Sequence, residues 1–127
     1  MTREQFEQYI EAAIDRVPEK IRQRFNNVAF VVEAAPRPAA VNERVVRRGG
    51  ILLGLYQGVP LTRRGPGYSG VLPDKITIFQ QAIEFLAGPD ENRIGALIHD
   101  VVHHEIAHHL GFSEREVRAW ERKRKKP

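Results

Sequence analysis

Apolar and polar residues alternate along this chain with two periods, which predict helices at both ends and short strands between them. Apolar residues recur every three or four positions over residues 2–16, and Thr2 with Gln5 forms a capping box. Pro18 interrupts this pattern and is placed to open a short second helix. Runs of β-branched and aromatic residues predict three strands, at residues 28–33, at 51–56 with a continuation through Val59 and Leu61, and at 75–79.

The C-terminal part of the chain is predicted to be helical. Residues 80–87 form a short helix, and a long helix runs to residue 110, where Gly111 ends it. Capping residues mark the helix starts, namely Asp90 or Asn92 for the long helix and Ser113 with Glu116 for the last one. The stretch 34–50, rich in Pro, Ala and Arg and closed by two Gly, is a predicted loop with at most a short extended piece, and the stretch 63–73 is a predicted Gly/Pro loop. This order of elements indicates an α+β fold with a small sheet covered by helices.

Composition limits the kinds of chemistry open to the chain. Its 127 residues suit one compact domain, and the absence of Cys excludes disulfide scaffolds, thiol catalysis, Cys-type zinc fingers and iron–sulfur clusters. The net charge of +4 comes from the basic run 122–126; without those five, 15 of the 20 basic residues remain against 16 acidic ones. We therefore predict one domain over residues 1–121 and a solvated basic tail over residues 122–127.

Charge and hydropathy also limit the expected partners and location. With its charge balanced outside the tail, the domain gives little reason to expect nucleic acid as a partner. No apolar stretch reaches the roughly 18 residues of a membrane span, and the charged start of the chain lacks the apolar core of a signal peptide. A cytoplasmic location without a membrane partner is the resulting expectation.

All five histidines fall within residues 99–109, and two of them form an H-E-x-x-H pattern. His104 and His108 are four residues apart, so on a helix they point to the same side, one turn from each other. Two imidazoles at this spacing can bind one metal ion such as Zn²⁺. Glu105 lies beside these ligand positions, where a carboxylate can take a proton from a metal-bound water. The pattern thus predicts a catalytic zinc site.

A third metal ligand is expected just after the long helix. Gly111 allows the chain to turn sharply, and Glu114, six residues after His108, is the candidate. The alternative is that Glu114 only stabilises the start of the last helix, where acidic residues are favoured. Glu116 and Glu121 are fallback ligands, although the capping box explains Glu116.

Other residues near the motif carry secondary expectations. Leu97 and Val101 share the side of the helix that bears the motif histidines, which predicts a buried site. His99 and His103 point away from that side and are expected at the helix surface. Candidates behind the ligands or at the oxyanion are His109, with a surface histidine as its alternative, and Tyr68. The run His104–Glu114 resembles the extended zincin motif; among zincins the metzincins carry a Met beneath the metal, and since this chain has no internal Met, the resemblance implies Trp120 or Phe112 in that place.

Two segments resemble those of the bacterial mini-zincins, which are related to the Asp-zincins. They are YSGVLPDKITIF at Tyr68–Phe79 and HHEIAHHLGFSERE at His103–Glu116, and the resemblance covers residues 25–120. It implies a zincin-like metallopeptidase fold, with a small mixed sheet packed on a central active-site helix and flanking helices. The family typically has Asp at the third ligand position, where this chain has Glu114. The resemblance also implies a strand edge that aligns an extended substrate, with residues 75–79 as the candidate strand.

These patterns together predict a zinc-dependent metallopeptidase that hydrolyses peptide bonds through a metal-activated water, with Glu105 as general base. Its substrate would be a peptide or protein, and a homodimer could supply a missing cleft wall. The alternative is a zincin-fold protein that binds metal and holds a peptide or nucleic acid without cutting it. The presence of Glu105 favours the peptidase, because a binding protein has no need of a base there.

Overall fold

A computed structural model describes residues 1–35, 44–48, 50–65 and 73–125 of the chain. Side chains are not described for residues 44–48, 114, 121 or 123–125. The helices are α1 (Arg3–Asp15), α2 (Glu19–Arg22), α3 (Gln80–Ala87), α4 (Glu91–Leu110) and α5 (Glu114–Lys125), with a 3₁₀ turn at Leu61–Arg63. The strands are β1 (Val28–Glu33), β2 (Arg44–Arg48), β3 (Ile51–Gln57) and β4 (Asp74–Phe79).

The four described strands form one mixed sheet in the order β1-β4-β3-β2. β1 pairs with β4 in parallel, whereas β4 with β3 and β3 with β2 are antiparallel. The α+β fold with a small mixed sheet is therefore confirmed. The expectation that residues 75–79 form a substrate-aligning edge is wrong, because β4 lies between β1 and β3 and both of its edges are paired.

The helix boundaries follow the predicted capping residues closely. The Thr2 hydroxyl accepts from the Gln5 N–H at 3.1 Å, and the Gln5 side chain accepts from the Thr2 N–H at 2.9 Å. The Asp90 side chain caps α4, and Ser113 with Glu116 forms the reciprocal pair before α5. The predicted continuation of the second strand to Leu61 is wrong. β3 ends at Gln57, because the chain turns at Gly58, where φ is 147°.

Helix α4 is the central element of the molecule. It packs against the sheet on one side and against α1 and α3 on others. Leu97 and Val101 are buried as predicted, together with most of its other apolar side chains: Ile94, Ile98, Val102, Ile106 and Leu110. A motif on this helix is therefore held by packing on several sides.

Helix α5 is the last element of the described chain. Helix α5 buries Val117 and continues into the basic run as far as Lys125. None of the helices that the structure describes is long and apolar enough to cross a membrane.

Candidate metal centre

The H-E-x-x-H motif lies in the second half of α4, as the sequence predicts. The rings of His104 and His108 lie edge to face one turn apart, with centroids 4.9 Å apart and planes at 87°. His108 is 8% exposed and Glu105 is fully buried. Local helix geometry is sufficient to bring these two imidazoles together, because residues four apart share a helix face.

The carboxylate of Glu105 is buried without a hydrogen-bond partner among the described residues. Its Oε1 lies 3.5 Å from Nδ1 of His108, and that nitrogen likewise makes no hydrogen bond there. Burial raises the pKa of Glu105, and the nearby His108 and His104 offset this rise only in part. A buried carboxylate of this kind is costly unless it has a partner. The Glu105 carboxylate and Nδ1 of His108 therefore fit a site that binds a cation and a water molecule.

A glycine of the sheet allows the close approach of β3 to Glu105. A Cβ built at Gly54 would lie 2.8 Å from Cγ1 of Val101 and 3.3 Å from Cγ of Glu105. Real Cβ atoms essentially never come within 3.0 Å of another side-chain atom. Gly54 thus lets the helix side that carries Glu105 pack directly on the strand.

Beside the motif lies a group of four side chains, the buried Tyr56, Asp74 and His109 and the partly buried Arg64, here called the Asp74 cluster. The Asp74 carboxylate accepts from the Tyr56 hydroxyl, from Nδ1 of His109 at 3.0 Å and from the Val59 N–H at 3.2 Å. Nη2 of Arg64 forms an ion pair with it at 2.8 Å. Burial raises the pKa of Asp74, but the hydrogen bonds to it outweigh this effect and lower its pKa below the ordinary value.

His109 belongs to this cluster and is buried, so the surface alternative for it is wrong. Its Nε2 accepts from the Asn26 N–H at 3.3 Å, which leaves the proton on Nδ1, where it is donated to Asp74. Burial lowers the pKa of His109, and Asp74 raises it by less. His109 is therefore a neutral ring that lies behind the motif.

His103 is also buried, contrary to the expectation that it lies at the surface. Its Nε2 is 2.8 Å from the Ala13 carbonyl oxygen, and its ring stacks on Trp120 at 5.3 Å. The sequence could not indicate this, because α1 and α5 cover that side of α4. Trp120, expected beneath the metal, instead packs on His103 and Phe112. The ring of Tyr56 packs against His108, with ring centroids 6.4 Å apart.

Two of the predicted site residues lie outside what the structure describes. Tyr68 falls in the undescribed segment 66–72, and the side chain of Glu114 is not described, although its backbone begins α5. Within the described part of the chain, no three His, Asp or Glu side chains converge on one point that could hold a metal. Glu114 therefore stays a predicted third ligand. Of the fallbacks, Glu116 is bonded to the Ser113 N–H at 3.0 Å.

Comparison with protein families decides which fold family this geometry represents. A family model described as zincin-like metallopeptidase matches residues 25–124, most of the chain. The chain belongs to the zincin-like metallopeptidase family. The resemblance to mini-zincins is thereby confirmed, and so is the zincin-like fold. A search of curated proteins gives no match to this zincin-like metallopeptidase.

The Asp74 cluster is the part of this zincin-like metallopeptidase that sequence reasoning missed. Its members come from β3, the loop after it, β4 and α4, with sequence separations of 18 and 35 residues between bonded pairs. An acidic residue at the head of the buried strand KITIF is the only local signal, and it also suits a turn. Long-range pairing of this kind leaves no periodic pattern in the sequence.

Proposed function

We propose that this zincin-like metallopeptidase is a zinc-dependent peptidase with Glu105 as its general base. The observation that carries the proposal is the fully buried carboxylate of Glu105, without a hydrogen bond among the described residues and 3.5 Å from Nδ1 of His108, beside two histidine rings one turn apart. A fully buried carboxylate without a hydrogen bond is costly for folding. Work on a water and a substrate would explain its place here.

The residues that would hold the metal are His104 and His108, with Glu114 as the third protein ligand. Two imidazoles and one carboxylate form a common ligand set of catalytic zinc sites, which leave a fourth position open. The absence of Cys fits this set, because only imidazole and carboxylate ligands remain. Zinc, when bound, lowers the pKa of a coordinated water to about 7 and polarises the substrate carbonyl.

Glu105 moves the proton in this reaction. Its carboxylate accepts a proton from the attacking water and then delivers it to the nitrogen of the leaving amine. Because burial raises the pKa of Glu105 above its ordinary value, the protonated form is a less costly intermediate than it would be at the surface. The neighbouring imidazoles limit that rise, so the carboxylate can still give up its proton.

The sheet edge formed by β2 is the proposed place for an extended substrate. β4 is paired on both sides, whereas β2 is at the end of the described sheet and contacts α4. β2 is also the neighbour of β3, whose Gly54 packs over Glu105. Main-chain hydrogen bonds from a strand edge can align a peptide without selecting its side chains.

The experiment compares zinc content and peptide cleavage in matched variants. Zinc per chain is measured by elemental analysis, and cleavage of a peptide library is followed by mass spectrometry. Glu105→Gln should keep its zinc and cleave about 10²–10⁴-fold more slowly, because only the base is lost. His104→Ala should lose both zinc and cleavage. The control Glu11→Gln, an exposed carboxylate on α1, should change neither.

Two results would contradict the proposal. If the wild type binds zinc but cleaves no faster than Glu105→Gln, the protein is a metal-loaded binding protein of zincin fold. If the wild type binds no zinc at neutral pH, the metal site itself is wrong. The same assays on the zinc-free protein show whether cleavage depends on the metal.

A further inference from the structure

The Asp74 cluster is buried and charged, and the proposed reaction does not use it. Its carboxylate is contacted from three segments: β3 through Tyr56, the following loop through Arg64 and the Val59 N–H, and α4 through His109. Charged groups are seldom buried unless they are paired and bonded in this way. The cluster therefore fixes the relative positions of the segments that it joins.

His109 fastens the last turn of α4 from two sides. Its Nδ1–H is donated to Asp74, and its Nε2 accepts from the Asn26 N–H, so both ring nitrogens are used. The last turn of a helix ordinarily frays; here the N–H groups of Gly111 and Phe112 bond to carbonyls of that turn, each at 3.0 Å, and the ring of His109 adds two side-chain bonds. His108 lies in this turn, one residue before His109. Holding the ring of His109 thus also fixes the rotation of the backbone that carries His108.

The same carboxylate holds the loop after β3 against the end of α4. Arg64, paired with Asp74, also donates from Nη1 to the Asn26 carbonyl at 3.0 Å. In that loop Thr62 lies against Gly111: a Cβ at Gly111 would come within 2.7 Å of its Cγ2. Gly111 has φ of 82° and sets the direction in which the chain leaves α4 toward Glu114.

We propose that Asp74 is a positioning residue of the metal centre. Through His109 it keeps His108 in its place one turn from His104, and through the loop it fixes the turn from which Glu114 must reach the ion. Tyr56 adds to this, because its hydroxyl is hydrogen-bonded to Asp74 and its ring packs against His108 and His109, with ring centroids 6.4 and 6.1 Å apart. The inference rests on the proposed zinc site but not on peptide cleavage.

The test measures zinc affinity by competition with a fluorescent chelator, on the full chain and without substrate. Asp74→Asn should weaken zinc binding about 10-fold or more, as expected when groups that orient metal ligands are removed. Tyr56→Phe keeps the ring and the Asp74–Arg64 pair, and it should weaken binding by less. Tyr9→Phe is the matched control, since it removes a tyrosine–carboxylate hydrogen bond, 2.8 Å to Glu91, at the opposite end of α4.

A second measurement separates positioning from a general loss of stability. Hydrogen exchange of the zinc-free protein should be faster at residues 108–112 in Asp74→Asn and Tyr56→Phe, whereas Tyr9→Phe should affect only the start of α4. If Asp74→Asn does not fold, Tyr56→Phe decides the question.

The outcomes distinguish this inference from the proposed function. Zinc affinity equal to wild type in folded Asp74→Asn, or in Tyr56→Phe where the first variant does not fold, overturns the positioning role. Weakened affinity with no peptide cleavage by any variant supports the positioning role and removes the peptidase. A wild type that binds no zinc overturns both.

Discussion

Individual residues at this site matter because of how closely they are packed. Glu105 and Val101 face Gly54 across the contact between α4 and β3, where a side chain has no space. The sequence motif identifies Glu105 but says nothing of Gly54, because the two meet only through tertiary packing. Burial of the Glu105 carboxylate therefore depends on Gly54 as much as on the helix.

Gly54→Ala should destabilise the protein by about 1–3 kcal/mol, since the new methyl group forces α4 away from the sheet. Gly65→Ala is the matched control, because a Cβ there meets nothing within 4 Å, and its effect should stay within about 0.5 kcal/mol. The free energy of unfolding in urea gives both values. Equal effects of the two substitutions would contradict the close approach at Gly54.

Asp74 should make the free energy of unfolding depend on pH in the acidic range. Because its pKa is lowered in the folded protein, its contribution is fully present above its unfolded pKa of about 4 and is lost as pH falls through the lower folded value. At pH 7, Asp74→Asn should cost roughly 3 kcal/mol, since Arg64 loses its buried partner.

Urea unfolding at pH 7 and at steps below pH 4 checks this prediction. The difference in unfolding free energy between wild type and Asp74→Asn should shrink as the solution becomes more acidic. A difference that stays constant with pH would mean that the pKa of Asp74 is not lowered by folding.

At the scale of elements, helix ends could be predicted well and strand neighbours could not. Capping boxes are local, so Thr2 and Ser113 mark the starts of α1 and α5 directly in the sequence. The parallel pairing of β1 with β4 joins residues about 46 positions apart, such as Val28 with Asp74. The hydrophobic pattern of β4 is compatible with either a central or an edge position, so it could not exclude the edge position that was taken from the family resemblance.

Position 111, where Gly111 ends α4, requires glycine for two separate reasons. Its φ of 82° disfavours a side chain, and Thr62 occupies the space where a Cβ would be. Gly88 at the end of α3 has nearly the same φ, 80°, but open space around it. Its ψ of −166°, however, puts Gly88 in a region that only glycine occupies readily, whereas Gly111, with ψ of 23°, is in the left-handed region. Gly111→Ala should therefore cost about 1–2 kcal/mol from backbone strain and more from the contact with Thr62, a part that Thr62→Ala should relieve.

Thermal unfolding of Gly111→Ala, alone and combined with Thr62→Ala, measures the part of this cost that comes from the contact, with Thr62→Ala by itself as the reference. Far-UV circular dichroism of the folded forms controls for loss of α5, which follows Gly111 directly. An equal loss of melting temperature from Gly111→Ala with and without Thr62→Ala would show that Thr62 moves aside without cost.

At the scale of the whole molecule, the family, the fold class and the motif were predictable from sequence, and the surroundings of the motif were not. His104, Glu105 and His108 are recognised by spacing alone, because helix geometry converts spacing into proximity. The surface position predicted for His103, and the surface alternative for His109, are wrong because the burial of both rings depends on α1, α5 and β4, which pack on α4 from distant parts of the chain. The division at residue 121 stays a prediction.

Zinc should stabilise the whole domain if it binds only the folded chain. At 100 times the dissociation constant, the gain is about 2.7 kcal/mol, and it should appear as a higher melting temperature. His104→Ala should abolish the shift, whereas His99→Ala, a change to a histidine outside the motif, should leave it intact. Calorimetry with and without a chelator measures it, and a shift that persists in His104→Ala would place the ion elsewhere.

The contact between α1 and β1 has a consequence for association of this protein with itself. β1 lies at the end of the described sheet, and Nη2 of Arg3 donates to its Val32 carbonyl at 3.0 Å. An open strand edge is a template on which another chain can add a strand and begin a fibril. By occupying that carbonyl with a charged, hydrated group, the first turn of α1 protects the molecule against edge-to-edge aggregation.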